Sequence, residues 1–407
     1  IQDFSEKEVY QTLGDLECFL IKNIENLIEL HYTNTNSQSE YIERTRLQEH
    51  VENILLIISH ESRPKLKDLN LQLNSLSRIG MNLDNNYRGV NFNKIFKKLP
   101  NLESLDLSRN KSEWDSFLNT YCDFSLLKKL KRINLSKNDI RKFPIELKKL
   151  LYLTSIDISE SRLTQFPLDL SESKSLMQIN FSNNHLEQFN RTIKLPYSLE
   201  SLNLENCSIN EFPTHIFFWG SFPNLVILNL SFNNITRLPL ELFTLKKLKH
   251  LYLNSNRITE LPKNLIINNL KFLEYLDLSS NYLSIIPFWL GDLPQLQTLD
   301  ISTNHFTTIP QSFSQLTNLT NVILDEHEIE DMTSLINLPY LKTLNLTSSD
   351  LSTTDLSVLS TLTNLETLDL TSSQLTGAIP SSFGNLTKLK TLELNSNKIT
   401  GSIPASF

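Results

Sequence analysis

The sequence predicts an α/β solenoid: a curved, right-handed stack of coils with a parallel sheet on its concave face and an N-terminal α-helical hairpin. Three observations predict it. A leucine-based unit recurs fourteen times, beginning at Leu66, Leu102, Leu130, Leu153, Leu176, Leu199, Leu225, Leu248, Leu273, Leu296, Leu319, Leu341, Leu365 and Leu389. The commonest interval between these starts is 23 residues, six of the thirteen, as from Leu130 to Leu153 and from Leu225 to Leu248. Residues 1–64 lack the unit and place apolar residues at helical spacing instead.

The unit is clearest at Leu225-Val226-Ile227-Leu228-Asn229-Leu230, followed by Asn233, Ile235 and Leu238-Pro239. The leucines point inward, and the residues between them face outward on a short strand. Asn233 falls where the chain leaves that strand. A buried amide there both donates to and accepts from backbone groups that neither helix nor sheet satisfies. Ile235 and Leu238 refill the core, and Pro239 starts the convex segment. One unit cannot bury its own apolar edge, so each is stabilised by its neighbours.

The same column reads Asn74, Asn110, Asn138, Ser161, Asn184, Cys207, Asn233, Asn256, Asn281, Asn304, His327, Ser349, Ser373 and Asn397. Serine and cysteine are small stand-ins that thin the ladder. His327 is the odd member, either a buried, hydrogen-bonded imidazole or a local distortion. The first two coils are the least regular. One carries the excursion Asn82–Tyr87, and the next contains Trp114 and has Ser112 where an apolar residue is expected.

Before the repeats, Ser5 and Glu8 form a capping box. Val9, Leu13, Leu16, Leu20, Ile24, Leu27 and Ile28 then make one helical face. Ile42, Leu47, Val51, Ile54, Leu55 and Ile58 make a second, giving an αα-hairpin. The expected domains are therefore a helical cap or partial interaction domain over 1–64 and about fourteen repeats over 65–407, cut within the last repeat. As a cap the hairpin shields the first coil; as the tail of a separate domain it binds a partner.

The pattern L-x-x-L-x-L-x-x-N-x-I-x-x-L-P resembles that of the leucine-rich-repeat superfamily over roughly five-sixths of the chain. Phe143-Pro144, Phe166-Pro167, Leu238-Pro239, Leu261-Pro262 and Ile286-Pro287 resemble the Ras-group, intracellular type of repeat. Leu375-Thr-Gly-Ala-Ile-Pro380 and Ile399-Thr-Gly-Ser-Ile-Pro404 resemble repeats of plant receptors, with Gly377 and Gly401 permitting a tighter backbone.

A net charge of −7 over 407 residues leaves no basic footprint for nucleic acid. No apolar run approaches a membrane span; Asn53–Ile58 is far too short. Cys18, Cys122 and Cys207 form no close pair and are expected as free thiols. The resemblance implies cysteine-paired caps for a secreted member, and none is visible. Both points favour a reducing compartment, the cytoplasm, over the extracellular part of a membrane receptor. The sequons at Asn110, Asn134, Asn190, Asn234 and Asn385 are by-products of the repeat, and Asn110 is expected to be buried.

The chemistry of an enzyme is missing from the motifs. Eight glycines are scattered too widely for a phosphate loop, and no G-x-S-x-G, H-E-x-x-H or paired C-x-x-C occurs. Glu326, His327 and Glu328 are adjacent and point in different directions, so they make no metal site. No catalytic residue, cofactor or metal is expected.

The concave face is the informative surface. Between the second and third leucines, the outward row runs Asn70, Asp106, Asn134, Asp157, Asn180, Asn203, Asn229, Tyr252, Asp277, Asp300, Ile323, Asn345, Asp369 and Glu393. It is an acidic and amide stripe broken by Tyr252 and Ile323. The row beside it carries Ile227, His250 and Tyr275 in consecutive coils, next to Val226. The candidate partner-binding residues are Val226, Ile227, His250, Tyr252 and Tyr275 as anchors, with Asp277 and Asp300 favouring a basic rim on the partner. Tyrosine and isoleucine are also common on any exposed sheet, which is the alternative reading. Phe217–Trp219 is expected to pack on the convex side. The expected function is a non-catalytic interaction or scaffold module gripping a protein or peptide, in signalling. The alternatives are the ectodomain of a receptor-like kinase and a regulatory segment of a larger enzyme.

Overall fold

The computed structural model describes residues 66–71, 92–110, 122–167, 169–186, 194–211, 222–263, 270–327, 329 and 331–407. The expected N-terminal hairpin, Cys18, Asn74, the Asn82–Tyr87 excursion, Ser112, Trp114, Asn190, Phe217–Trp219 and Glu328 lie outside them.

The chain divides into a first unit ending at Ile156 and a second running from Asp157 to Phe407 together with Arg141–Phe143. In the first, strands β1 (Asp68–Asn70), β2 (Ser104–Asp106) and β3 (Arg132–Asn134) pair in parallel and in sequence order. Strand β4 (Ser155–Asp157) follows at its end. The second unit continues the pattern with β5 (Gln178–Asn180), β6 (Ser201–Asn203), β7 (Ile227–Asn229), β8 (His250–Tyr252) and β9 (Tyr275–Asp277). Then come β10 (Thr298–Asp300), β11 (Asn321–Ile323), β12 (Thr343–Asn345), β13 (Thr367–Asp369) and, after a two-residue strand β14 (Thr376–Gly377), β15 (Thr391–Glu393). From β6 onward each strand of this sheet pairs in parallel with the one a coil earlier, β15 with β13.

Register explains why leucine recurs. Leu202, Leu228, Leu251, Leu276, Leu299, Val322, Leu344 and Leu368 lie side by side along the sheet. Each is at most 3% exposed. Fully burying such a side chain stabilises by about 1.5–3 kcal/mol. On the opposite side, proline opens a 3-10 turn in coil after coil, at Pro144, Pro239, Pro287, Pro310 and Pro380. Its fixed φ suits a helical start, and its missing N–H is not needed there. Among the described residues one α-helix occurs, α1 (Phe92–Lys97). The glycine motifs of the last two coils make a second, two-stranded parallel sheet between β14 and β16 (Lys398–Ile399). Gly377 and Gly401 take φ of 75° and 83° there, as a left-handed turn requires.

The asparagine ladder closes the backbone account where each strand ends. Asn233 Nδ2 donates to the carbonyls of Leu204 at 2.8 Å and Leu230 at 2.9 Å. Its Oδ1 accepts from the N–H groups of Cys207 at 3.0 Å and Ile209 at 2.9 Å. One side chain thus ties two coils together from both directions. Asn138 likewise donates to Leu107 O and accepts from the Asn110 N–H in the first unit, and Asn110, fully buried as expected, donates to Leu71 O and Leu107 O. The stand-ins keep the donor arm, and of the accepting arm Ser349 Oγ keeps one long bond, from the His327 N–H at 3.4 Å. Cys207 Sγ donates to Phe181 O at 3.1 Å, Ser349 Oγ to Leu324 O at 3.1 Å and Ser373 Oγ to Leu346 O at 2.8 Å. Cys122 and Cys207 are both free and buried, and burial pushes the Cys207 thiol up to about 12.

His327 is a buried imidazole, the first of the two readings. Its Nε2 lies 2.9 Å from Ile301 O, in the place of an asparagine amide. Its Nδ1 is buried with no partner, and so is Oδ1 of nearby Asp325. Desolvation holds the imidazole below its ordinary value of 6.5.

Two stability predictions follow from the core and the ladder. Leu230→Ala should cost roughly 2–5 kcal/mol by opening a cavity, and Asn233→Ala about 1–3 kcal/mol by orphaning buried backbone groups. Urea denaturation reads both, and unchanged midpoints would show that neither side chain carries the coil. The unfolded chain protonates His327 more readily than the folded one, so its contribution is intact above pH 6.5 and is lost as pH falls below it. His327→Asn should therefore lose less stability than wild type between pH 7.5 and 5.5; parallel losses would refute this.

Candidate functional site

Adjacent parallel strands bring the sequence-predicted residues into neighbouring rows about 4.8 Å apart. The registers are Ile227 beside His250 beside Tyr275, and Asn229 beside Tyr252 beside Asp277 beside Asp300. The Tyr252 and Tyr275 rings lie 4.9 Å apart at 37°, and the His250 and Tyr275 rings 6.2 Å apart at 33°. Such separations suit offset aromatic contact. The three rings form one surface, each half-exposed. Ile227 extends it and is 37% exposed. Val226 stands outside the cluster, half-buried in the row that leads into the strands, where its neighbours are Glu200 and Lys249. Lys249 itself is held by Glu274 at 2.7 Å.

The acidic and amide stripe has a different origin from the outward display that its composition suggests. Oδ1 of each Asp or Asn accepts from the backbone N–H two residues on, at Asp106, Asn134, Asp157, Asn180, Asn203, Asn229, Asp277, Asp300, Asn345 and Asp369. This is an Asx-type cap on the turn leaving the strand. Asp277 and Asp300 add the hydroxyls of Ser279 at 2.7 Å and Ser302 at 2.6 Å. Asp277 is accordingly only 8% exposed. Tyr252 and Ile323 cannot cap, so their coils give up a hydrogen bond worth about 0.5–1.5 kcal/mol.

Burial shapes the electrostatics. It pushes the Asp300 carboxyl up to about 6 and raises that of Asp277. Tyr275 is pushed up to about 12, first by burial and then by the carboxylates of Asp277 and Asp300.

Phe232 is a residue that the row analysis of the sequence passes over. In thirteen described coils the residue before the ladder position has φ between 49° and 60°. Phe232 alone among those thirteen is apolar, the others being Arg109, Lys137, Glu160, Asn183, Asn206, Ser255, Ser280, Thr303, Glu326, Ser348, Ser372 and Ser396. It is 53% exposed in the coil of Ile227. The left-handed conformation disfavours a bulky side chain, so an exposed ring there is held without packing gain. Its sequence signal is one apolar residue in an otherwise polar column.

A titration prediction belongs to Asp300. Its folded value is raised from 3.8, so its ionisation costs stability as pH rises from about 4 to 6. Asp300→Asn keeps the capping oxygen and removes the charge. It should raise stability by about 1–3 kcal/mol at pH 7 and hardly at all at pH 4. An equal effect at both pH values would disprove the assignment.

Three leucine-rich-repeat family models match the chain, the "Leucine-rich repeat region" over residues 266–406 and two models described as leucine rich repeat over 223–283 and 198–219. No sequence among the curated proteins matches. A leucine-rich-repeat protein of Leptospira interrogans is 27% identical with a TM-score of 0.63, over 82% of this chain and 89% of that one. A complex of TLR13 with ssRNA13 is 26% identical with a TM-score of 0.66, over 84% of this chain and 53% of that one. The ectodomain of the plant membrane receptor kinase GASSHO1/SCHENGEN3 from Arabidopsis thaliana, in complex with CASPARIAN STRIP INTEGRITY FACTOR 2, is 26% identical with a TM-score of 0.54, over 77% of this chain and 44% of that one. This chain spans about half the length of the last two. With its repeat period, leucine register and asparagine ladder, the chain is a member of the leucine-rich-repeat superfamily.

Proposed function

We propose that this protein is a non-catalytic interaction module that binds a protein or an extended peptide on the outward face of its sheet, the face expected to be concave. The observation that carries the reading is Tyr252. It stands in a row where ten side chains cap their own turns, and it replaces that cap with a ring stacked on Tyr275. Selection for folding alone favours Asp or Asn there. With Ile227 and His250 the rings form an apolar island on a polar sheet, and such an island favours a partner. The Arabidopsis ectodomain is in complex with CASPARIAN STRIP INTEGRITY FACTOR 2, which supports use of the fold for binding.

Nucleic acid is the weaker partner. The three-residue strands from β5 to β15 contain no lysine or arginine, and contain Asp277, Asp300, Asp369 and Glu393. Phosphate would be repelled from that face. A reducing compartment, the cytoplasm, fits Cys207, whose thiol serves as a ladder donor and must stay reduced to do so. Among the described residues no helix is long and apolar enough to cross a membrane.

The test is selection from a random linear peptide library with the 407-residue chain. Binders should lose affinity by about 2 kcal/mol with Tyr252→Ala and again with Tyr275→Ala. Tyr340→Ala, 59% exposed and outside the strands, should change nothing. Binders indifferent to both tyrosines, with the circular dichroism of the variants unchanged, would remove the site from this face.

A further inference from the structure

Asp277 and Asp300 differ from Asp106 and Asp157 of the same row in what meets their second oxygen. Oδ2 of Asp106 accepts from the Asn134 amide at 3.2 Å, and Oδ2 of Asp157 from the Asn180 amide at 3.1 Å. In the corresponding position of the next coil, Asp277 has Asp300 and Asp300 has Ile323. Neither neighbour can donate. Among the described residues, the bonds of both carboxylates go to their own turns through Oδ1. No described cation pairs with either, since Lys249 on the strand before is engaged by Glu274. Asp277 is 8% exposed, and its bonds from the protein all go to Oδ1, which leaves Oδ2 open to a donor from outside. An unpaired, desolvated carboxylate gains more from an arriving cation than an exposed one does.

The cation's neighbours are fixed by the same register. Tyr252 lies directly beside Asp277, and Tyr275 stacks on Tyr252 with its ring 4.9 Å away. An aromatic face and two carboxylates about 4.8 Å apart, from the spacing of adjacent strands, thus border one spot on the sheet.

We propose that this spot takes the guanidinium of an arginine side chain carried by an extended partner peptide. The plane of the guanidinium lies against the tyrosine rings, and its N–H groups donate to Oδ2 of Asp277 and Oδ2 of Asp300. A planar fork of five donors can reach two carboxylates on neighbouring strands while stacking on a ring; a lysine ammonium is a point charge and does one or the other. A bare metal ion would find only two free oxygens, too few for the hard cations that favour carboxylates. The methylene stem of the arginine would cross Tyr252 toward Ile227, covering apolar surface on the way. This inference rests on the peptide-binding reading above and names the residue that reading leaves open.

The experiment uses peptides selected on wild type whose binding depends on Tyr252 and Tyr275. Each is resynthesised with its arginines replaced one at a time by citrulline, which keeps the shape and removes the charge, or by lysine. Affinities are then measured for wild type, Asp277→Asn and Asp300→Asn. Asparagine is native to this row at Asn229 and Asn345, where it caps the turn through Oδ1, so both variants keep the fold. The expected result is a shared arginine whose citrulline form binds about tenfold or more weakly, as loss of a charge-assisted pair implies. Lysine should restore only part of the loss. Each Asp→Asn variant should weaken the arginine peptide by a similar factor and leave the citrulline peptide unchanged. Tyrosine-dependent binders that lack an arginine, or that tolerate citrulline, would overturn this inference while sparing the peptide-binding function. An absence of tyrosine-dependent binders would overturn both.

Discussion

The fold depends on the side chain at the ladder position of each coil, an amide in nine of the fourteen. A strand of three residues satisfies few backbone groups, and the turn that follows it has no helix to supply the rest. The asparagine at that turn supplies them by donating within its own coil and to the coil before while accepting from the coil before, as Asn233 does with Leu230, Leu204, Cys207 and Ile209. The leucine stack provides most of the hydrophobic free energy, yet leucine alone leaves the coils free to slide. The amide fixes the register in which one leucine lies beside the next. Only with that register do residues far apart in sequence, such as Tyr252 and Tyr275, become neighbours.

Much of this was legible in the sequence because the residues that define the repeat are the residues that build it. The inward positions of Leu228 and Leu230 and the burial of Asn110 follow from the period alone, and the structure has them so. Proline at positions such as Pro239 and Pro287 marks where the convex turns start. The rows of the sheet face were legible for the same reason, so the meeting of Ile227, His250, Tyr252 and Tyr275 needed only a count of residues.

Two features were hidden. The polar row reads as an outward stripe, yet its Oδ1 atoms bend back to the N–H two residues on. That bond is local, and its signature is the recurrent serine or threonine after the next leucine, as in Asp277-Leu278-Ser279 and Asn345-Leu346-Thr347. Composition reports polarity, and it takes geometry to say which oxygen of a carboxylate is already spoken for. Phe232 was hidden because the cost of an apolar ring in its column comes from the left-handed φ shared by that column, and no periodicity of side chains reports φ.

Three consecutive rungs of the ladder, His327, Ser349 and Ser373, donate to the coil before but have lost most of the accepting arm. Asn304 on one side and Asn397 on the other keep both arms. Fewer bonds between coils mean a lower restoring force against tilting one coil on the next. The stretch between those two asparagines is therefore the longest run of thinned rungs among the described residues, and it begins one coil beyond Asp300. When load is applied along the chain, strain will concentrate there first, and the coils carrying the tyrosine cluster will keep their geometry longer.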